Sequence, residues 1–303
     1  MKLLVNRARQ KCRSIVNKTN LALLGRRVKI PFIILSSPRS GSNLLSTLLQ
    51  SHENLKVLGE LFNLFVIPKH TLSFILNDPR NYLFNLYNQR YPKNIKALGF
   101  KIHYNQATPE QLKPNLYSNF YIENISDEMR MKICKLQDFI HSNYDVENIS
   151  KRLTEVWSFL KDETHIKIIH LKRENKLKQY ISLVEAWGSN QWVLKNGESR
   201  QKKYANEYNY SYCLNFFCKM CKWEEDFNLL FQDHEIHEIY YEKLIENIDS
   251  ELAEIQNFLN VPIKPLRTKL KKQRLTPISA SISNYSELKH KFVGTQWLEF
   301  FEK

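Results

Sequence analysis

Apolar residues in this chain gather in short, dense runs separated by longer mixed stretches. Ile30 to Ser36 reads Ile-Pro-Phe-Ile-Ile-Leu-Ser, a run with the length and composition of a buried strand. Ala97 to Tyr104, His165 to Leu171 and His237 to Tyr241 are three more of the same kind. After the first, third and fourth comes a segment whose apolar residues cluster as on a helix: Asn43 to Leu49, a stretch from Asn175 through Trp187, and one from about Glu242 to Leu259. Strands alternating with helices predict an α/β fold of three layers, with a mainly parallel central sheet flanked by helices. Phe62 to Arg90 and Gln106 to Leu160 are Asn- and Tyr-rich and are expected to be partly helical. The tail beyond Pro262 is basic and ends in an apolar segment around Phe292 to Phe301. Met1 to Val28 is basic, with apolar residues spaced as on an amphipathic helix. The expected organisation is a basic N-terminal segment over 1–29 and one domain over 30–303, with an insertion at about 106–160.

Composition narrows the class. The chain has 303 residues, 43% of them hydrophobic and 12% aromatic, which suits a folded core and not a disordered chain. The longest stretch without a charged side chain, Ser40 to His52, is 13 residues and largely polar. A spanning helix needs about 20 apolar residues, so none is expected. No secretory leader pattern opens the chain. The five cysteines are odd in number and show no disulfide framework, so a reducing cytoplasm is the expected setting. Lys and Arg number 45 against 31 acidic residues, a net charge of +14. Such a field attracts anions: nucleic acid, an anionic membrane surface, or a phosphorylated small molecule. The basic N-terminal segment is suited to peripheral contact with anionic lipid.

The most informative local pattern is the passage from the first strand into the first helix. Ser37-Pro38-Arg39-Ser40-Gly41-Ser42 is a loop of small residues ending at a helix N-terminus, where unpaired N–H groups and the helix dipole favour an anion. The backbone of Ser40, Gly41, Ser42, Asn43 and Leu44 is expected to meet one phosphate, and Arg39 adds a guanidinium fork. The nucleotide-hydrolase consensus G-x-x-x-x-G-K-[ST] is absent, which argues against an ATP or GTP hydrolase.

Pro38-Arg39-Ser40-Gly41-Ser42-Asn43-Leu44-Leu45 resembles the P-R-S-G-[ST]-x-L-L phosphosulfate loop of the sulfotransferase superfamily. His170-Leu171-Lys172-Arg173-Glu174-Asn175, followed by Gln179-Tyr180-Ile181-Ser182, resembles its 3′-phosphate element, in which an arginine after a strand and a serine on the next helix meet one phosphate. The spacing is similar to that of the bacterial carbohydrate type, typified by trehalose and nodulation-factor sulfotransferases. Val57-Leu58-Gly59-Glu60-Leu61-Phe62-Asn63 resembles that type's Gly-Glu segment, and Tyr240-Tyr241-Glu242-Lys243-Leu244 with Phe258-Leu259 resembles two further segments, with Asn260 where the family has glycine.

The resemblance implies a P-loop-like fold and in-line transfer of the sulfuryl group from 3′-phosphoadenosine 5′-phosphosulfate (PAPS) to a hydroxyl of a carbohydrate or glycolipid. It implies Glu60 as general base, with His103 of Lys101-Ile102-His103 as the rival, since cytosolic members draw their base from a similar K-x-H strand end. Arg39 and the loop amides would stabilise charge on the leaving phosphate. Arg173 and Ser182 would hold the 3′-phosphate, Tyr241 the adenine or ribose, and Lys272 and Arg274 would close over the nucleotide. Lys101 is suited to reach sulfate or acceptor oxygens. Cys213, Cys218 and Cys221 match an iron–sulfur spacing, but they lie in a pattern of apolar residues typical of a helix, and no metal is expected. The other reading of the charge is a non-catalytic nucleotide- or nucleic-acid-binding protein. No nucleic-acid-binding motif supports it, so nucleic acid is not the expected partner.

Overall fold

The computed structural model describes residues 25–112, 122, 125–199, 205–271 and 277–302. In chain order the strands are β1 (Arg26–Arg27), β2 (Ile30–Ser36), β3 (Leu55–Glu60), β4 (Arg90–Tyr91), β5 (Ala97–His103), β6 (Lys167–Lys172) and β7 (Ile236–Tyr240). Five of them form one sheet in the order β3-β5-β2-β6-β7, and every pairing in it is parallel.

A parallel pair cannot be closed by a tight turn, so helices fill the connections. Helix α1 (Ser42–Gln50) joins β2 to β3, and α2 (Lys69–Asn77) and α3 (Pro79–Asn88) lie between β3 and β5. Helices α4 (Asp127–Asn143) and α5 (Val146–Asp162) lead to β6, and α6 (Lys176–Ser189) and α7 (Tyr210–Leu230) lead to β7. Beyond β7 come α8 (Tyr241–Glu246), α9 (Ile248–Phe258) and α10 (Tyr285–Lys291).

The dense apolar runs reflect burial of the sheet on both faces. Phe32 and Ile34 of β2 pack with Leu45, Leu48 and Leu49 of α1 and with Leu252 and Ile255 of α9. Ile33 and Leu35 point the other way, into a cluster with Leu83 and Leu86 of α3 and Val156 and Leu160 of α5. The result is the expected three-layer α/β fold. A further apolar cluster ties α4, α6 and α7 to the C-terminal segment through Met129, Ile181, Phe217, Phe292 and Phe300.

The structure departs from the expectations in three places. The Gly-Glu segment is the last part of an edge strand, β3, which the sequence reading did not mark as a strand. The stretch from Glu242 to Leu259 is two helices, separated at Asn247, and not one. At the end of the basic N-terminal segment, Arg26–Arg27 is a short strand paired antiparallel with Arg90–Tyr91; the rest of the expected amphipathic helix lies outside the described residues.

The topology puts a site at the carboxyl end of β2. From there the chain crosses to β3 and β5 on one side, while β6 and β7 lie on the other. Such a switch point leaves a crevice beyond the strand ends. The register brings Ser36 level with His103 of β5 and with Leu171 of β6.

Candidate active site

The loop after β2 is held in a narrow conformation. Arg39 and Gly41 both have left-handed backbones, with φ of 63° and 93°. Gly41 is required twice over: a β-carbon there would be strained and would lie 2.2 Å from Cδ2 of Tyr241. Ser40 is buried, and its Oγ donates to the Ser37 carbonyl at 2.8 Å, so its hydroxyl braces the loop. Gln179 of α6 donates to the Pro38 carbonyl at 2.8 Å. The first bond of α1 runs from the Leu45 N–H to the Gly41 carbonyl at 3.1 Å. The N–H groups of Ser42, Asn43 and Leu44 therefore precede the helical ladder, and no side chain at the N-cap position takes them. Gly41, Ser42, Asn43 and Leu44 line a cleft, so the helix N-terminus opens into it.

Two guanidinium groups flank that opening. Arg173 follows β6, donates from Nη1 to the Arg39 carbonyl at 2.9 Å, and stacks over the Tyr241 ring at 4.9 Å. Glu242 fixes this turn by accepting from the backbone N–H of Glu174 at 2.9 Å and lying 3.6 Å from Arg173 Nε. Arg39 donates from Nε to Ser182 Oγ at 3.0 Å and from Nη1 to the Trp192 carbonyl. Burial and the nearby charge of Arg173 lower the Arg39 pKa to about 10, so it stays cationic at neutral pH. Two cations held this close, beside unpaired N–H groups, form a pocket of positive potential that an anion would relieve.

The opposite wall carries the acid–base groups. Gly59, with φ of 72°, falls where the pairing of β3 with β5 shifts register, and Glu60 then stands opposite Lys101. Lys101 is 2% exposed. Its Nζ meets Glu60 Oε1 at 2.7 Å and also donates to Asn43 Oδ1, joining this wall to helix α1. Glu60 Oε2 accepts from Asn63 Nδ2 at 2.6 Å and from Gln106 Nε2 at 2.7 Å. His103 Nε2 lies 3.6 Å from Glu60 Oε1, and its Nδ1 is 2.9 Å from Ser36 Oγ. Burial alone would raise the Glu60 pKa, but His103 and Lys101 outweigh it and hold the carboxyl well below its ordinary value.

Both walls belong to one cleft of 1050 Å³, lined together by Arg39, Gly41, Asn43, Glu60, His103, Arg173, Ser182 and Tyr241. The sequence profile of the sulfotransferase family matches residues 31–265. The chain belongs to the sulfotransferase family. It is similar to the nodulation protein H of Rhizobium tropici, 26% identical over 281 residues, covering 90% of this chain and 93% of that one. Nodulation protein H of Rhizobium meliloti (strain 1021) is 24% identical over 282 residues, covering 90% and 95%. Among solved structures, a sulfotransferase from Alicyclobacillus acidocaldarius covers 91% of this chain and 95% of its own, with 11% identity and a TM-score of 0.41.

Of the site residues expected from the sequence, the sulfotransferase brings Glu60, Arg39, His103, Gly41, Ser42, Asn43, Leu44, Arg173, Ser182 and Tyr241 to the cleft. Ser40 supports the loop from behind. Lys272 and Arg274 lie outside the described residues. Ser182, expected opposite Arg173, is bonded instead to Arg39. Cys213, Cys218 and Cys221 all sit on α7, with Cys213 buried and its thiol pushed up to about 12 by burial. Among the described residues, no helix is long and apolar enough to cross a membrane. The sequence reading quoted Asn63 at the end of the Gly-Glu segment without a role and did not mark Gln106; both hold Glu60. It quoted Glu242 without its role in fixing the Arg173 turn. A carboxamide three residues after the Gly-Glu pair, and another three after the K-x-H histidine, are the signals that were available.

Proposed function

We propose that this sulfotransferase moves the sulfuryl group of PAPS to a hydroxyl of a carbohydrate or glycolipid acceptor. The observation that carries this reading is the shared cleft, with anion-binding groups on one wall and an ionised carboxylate on the other. Loop amides, the α1 dipole and two guanidiniums suit a ligand with two separate phosphate ends. The relatives named nodulation protein H support a small-molecule or carbohydrate acceptor.

In the proposed reaction, a bond forms between the acceptor oxygen and sulfur while the bond from sulfur to the 5′-phosphate oxygen breaks. The acceptor proton passes to Glu60, and 3′-phosphoadenosine 5′-phosphate leaves. Glu60 is a weak base, because its neighbours hold its pKa low. That suits a loose transition state. The hydroxyl becomes strongly acidic only as sulfur attaches, so its proton can go late to a weak acceptor. His103 is less suited to the role. Its Nδ1 lies beside both the Ser36 hydroxyl, at 2.9 Å, and the Ser36 carbonyl, at 3.3 Å, and its Nε2 faces the Glu60 carboxylate, so both ring nitrogens are turned to groups of the protein itself. It borders Glu60 at 3.6 Å, too far for a hydrogen bond. The loop amides and Arg39 oppose the charge that builds on the departing phosphate, and Arg173 with Ser182 and Tyr241 holds the nucleotide's far end. Lys101, bonded to both Glu60 and Asn43, fixes the base relative to the loop.

Thermal denaturation with 3′-phosphoadenosine 5′-phosphate, AMP and duplex DNA tests the donor half of this reading, since a ligand of the native state raises Tm by mass action. A shift with the first alone is expected; equal shifts with AMP or DNA would overturn it. Transfer of label from sulfur-labelled PAPS to glucose- and N-acetylglucosamine-based oligosaccharides tests the acceptor half.

A further inference from the structure

We infer that Asn63 and Gln106 are positioning residues that clamp Oε2 of Glu60 and thereby assign Oε1 as the atom that takes the acceptor's proton. This rests on the reading of Glu60 as base and adds to it which oxygen acts and what holds it. A carboxylate has about four lone-pair sites. Both sites of Oε2 are filled, by Asn63 Nδ2 at 2.6 Å and Gln106 Nε2 at 2.7 Å. On Oε1, Lys101 takes one at 2.7 Å, and His103 at 3.6 Å is beyond hydrogen-bond reach. Oε1 alone keeps a lone pair for a substrate.

The orientation of each amide is fixed by the backbone. The Phe65 N–H donates to Asn63 Oδ1 at 3.2 Å, and the His103 N–H donates to Gln106 Oε1 at 3.2 Å. With its oxygen taken up in this way, each amide must present its NH₂ group to the carboxylate. Gln106 is also tied down at its own main chain: its N–H reaches the His103 carbonyl at 2.8 Å, and its carbonyl accepts from Trp157 Nε1 at 3.0 Å. It is 4% exposed. The clamp therefore draws on two different connections, one after β3 and one after β5, and each sets its amide by local hydrogen bonds. The charged and titratable groups that face Glu60 are Lys101 and His103, both on β5. The clamp itself is neutral, so it can hold the ionised carboxylate without adding charge beside the sulfuryl group.

The test compares Glu60→Gln, Gln106→Met and Asn63→Leu by two readouts. One is transfer from labelled PAPS to the oligosaccharide panel as a function of pH. The other is direct titration of the Glu60 carboxyl by carbon-13 NMR, assigned by its loss in Glu60→Gln. A retained Tm shift with 3′-phosphoadenosine 5′-phosphate confirms that each variant is folded. The clamp predicts that Gln106→Met lowers kcat by about tenfold or more with little change in acceptor KM, and raises both the carboxyl titration and the acid limb of activity. Asn63→Leu should do the same, and Gln106→Asn should recover part of the loss. If Glu60→Gln abolishes transfer while Gln106→Met and Asn63→Leu leave the titration and the limb where wild type has them, the clamp is wrong and the base reading survives. If Glu60→Gln keeps its turnover, the base reading falls and the clamp falls with it.

Discussion

Replacing Glu60 by Gln keeps the side chain's shape and removes its basicity. It should lower kcat by about 10²–10⁴-fold, the range for losing a general base, while binding of 3′-phosphoadenosine 5′-phosphate measured by calorimetry stays nearly intact. Because Glu60 is held below the ordinary carboxylate range, the wild-type acid limb should fall below about pH 4.5, and an acid limb near pH 6.5 would point to an imidazole instead. Across the cleft, Arg173→Ala and Ser182→Ala should each weaken binding of that nucleotide by roughly 1–3 kcal/mol, the range for charged hydrogen bonds. Arg39 Nε donates to Ser182 Oγ at 3.0 Å, so Ser182→Ala also removes that bond. Unchanged affinity in both folded variants would remove the 3′-phosphate assignment. These are effects of single side chains, and the two walls should respond separately: kcat on the Glu60 side, affinity on the Arg173 side.

At the scale of elements, the loop between β2 and α1 depends on a glycine with a neighbour pressed against it. Gly41→Ala should strain a backbone at φ of 93° and drive a methyl into Tyr241, 2.2 Å away. The strain alone is of order 1–3 kcal/mol. The expected outcome is a lower Tm and loss of the nucleotide-induced shift. Tyr241→Ala combined with Gly41→Ala relieves the contact but not the φ strain, so its Tm should still fall below that of Tyr241→Ala alone; no fall would mean that only the contact mattered. How much of this was legible in the sequence follows from burial. Strands β2 and β5 stood out within a residue of their ends because both faces of the sheet are covered, which leaves unbroken apolar runs. Strand β3 did not, because Leu-Lys-Val-Leu-Gly-Glu lies at the sheet edge, alternates and is interrupted by Gly59. The anion loop was readable because its chemistry is local. The bond from Arg39 to Ser182 spans 143 residues, and the one from Gln106 to Glu60 spans 46, so neither is written in any local spacing.

For the whole molecule, two partly buried glutamates paired with lysines should pull acid stability in opposite directions. Glu60, 17% exposed, meets Lys101, His103 and two amides, and its pKa is lowered despite burial. Glu224, 13% exposed, meets Lys176 at 2.5 Å, and burial prevails there, so its pKa is raised. A carboxyl lowered in the folded state contributes stability that is present above its unfolded pKa and lost as pH falls through the folded one. A carboxyl raised in the folded state does the reverse: it takes its proton more readily folded than unfolded, so acid favours the native state across that window. Acidification also adds positive charge to a chain that already carries +14, which increases self-repulsion. The wild-type loss of stability between pH 7 and pH 3 should therefore be partly steepened by Glu60 and partly offset by Glu224. Glu60→Gln should flatten the slope of Tm against pH in the acid range, and Glu224→Gln should steepen it. Each variant also leaves a buried lysine without its carboxylate, which lowers stability throughout. That penalty bears on the level of Tm, so the comparison is made on the slope. Parallel slopes for wild type and both variants, measured by thermal denaturation in steps of one pH unit, would show that neither carboxyl changes its proton affinity on folding.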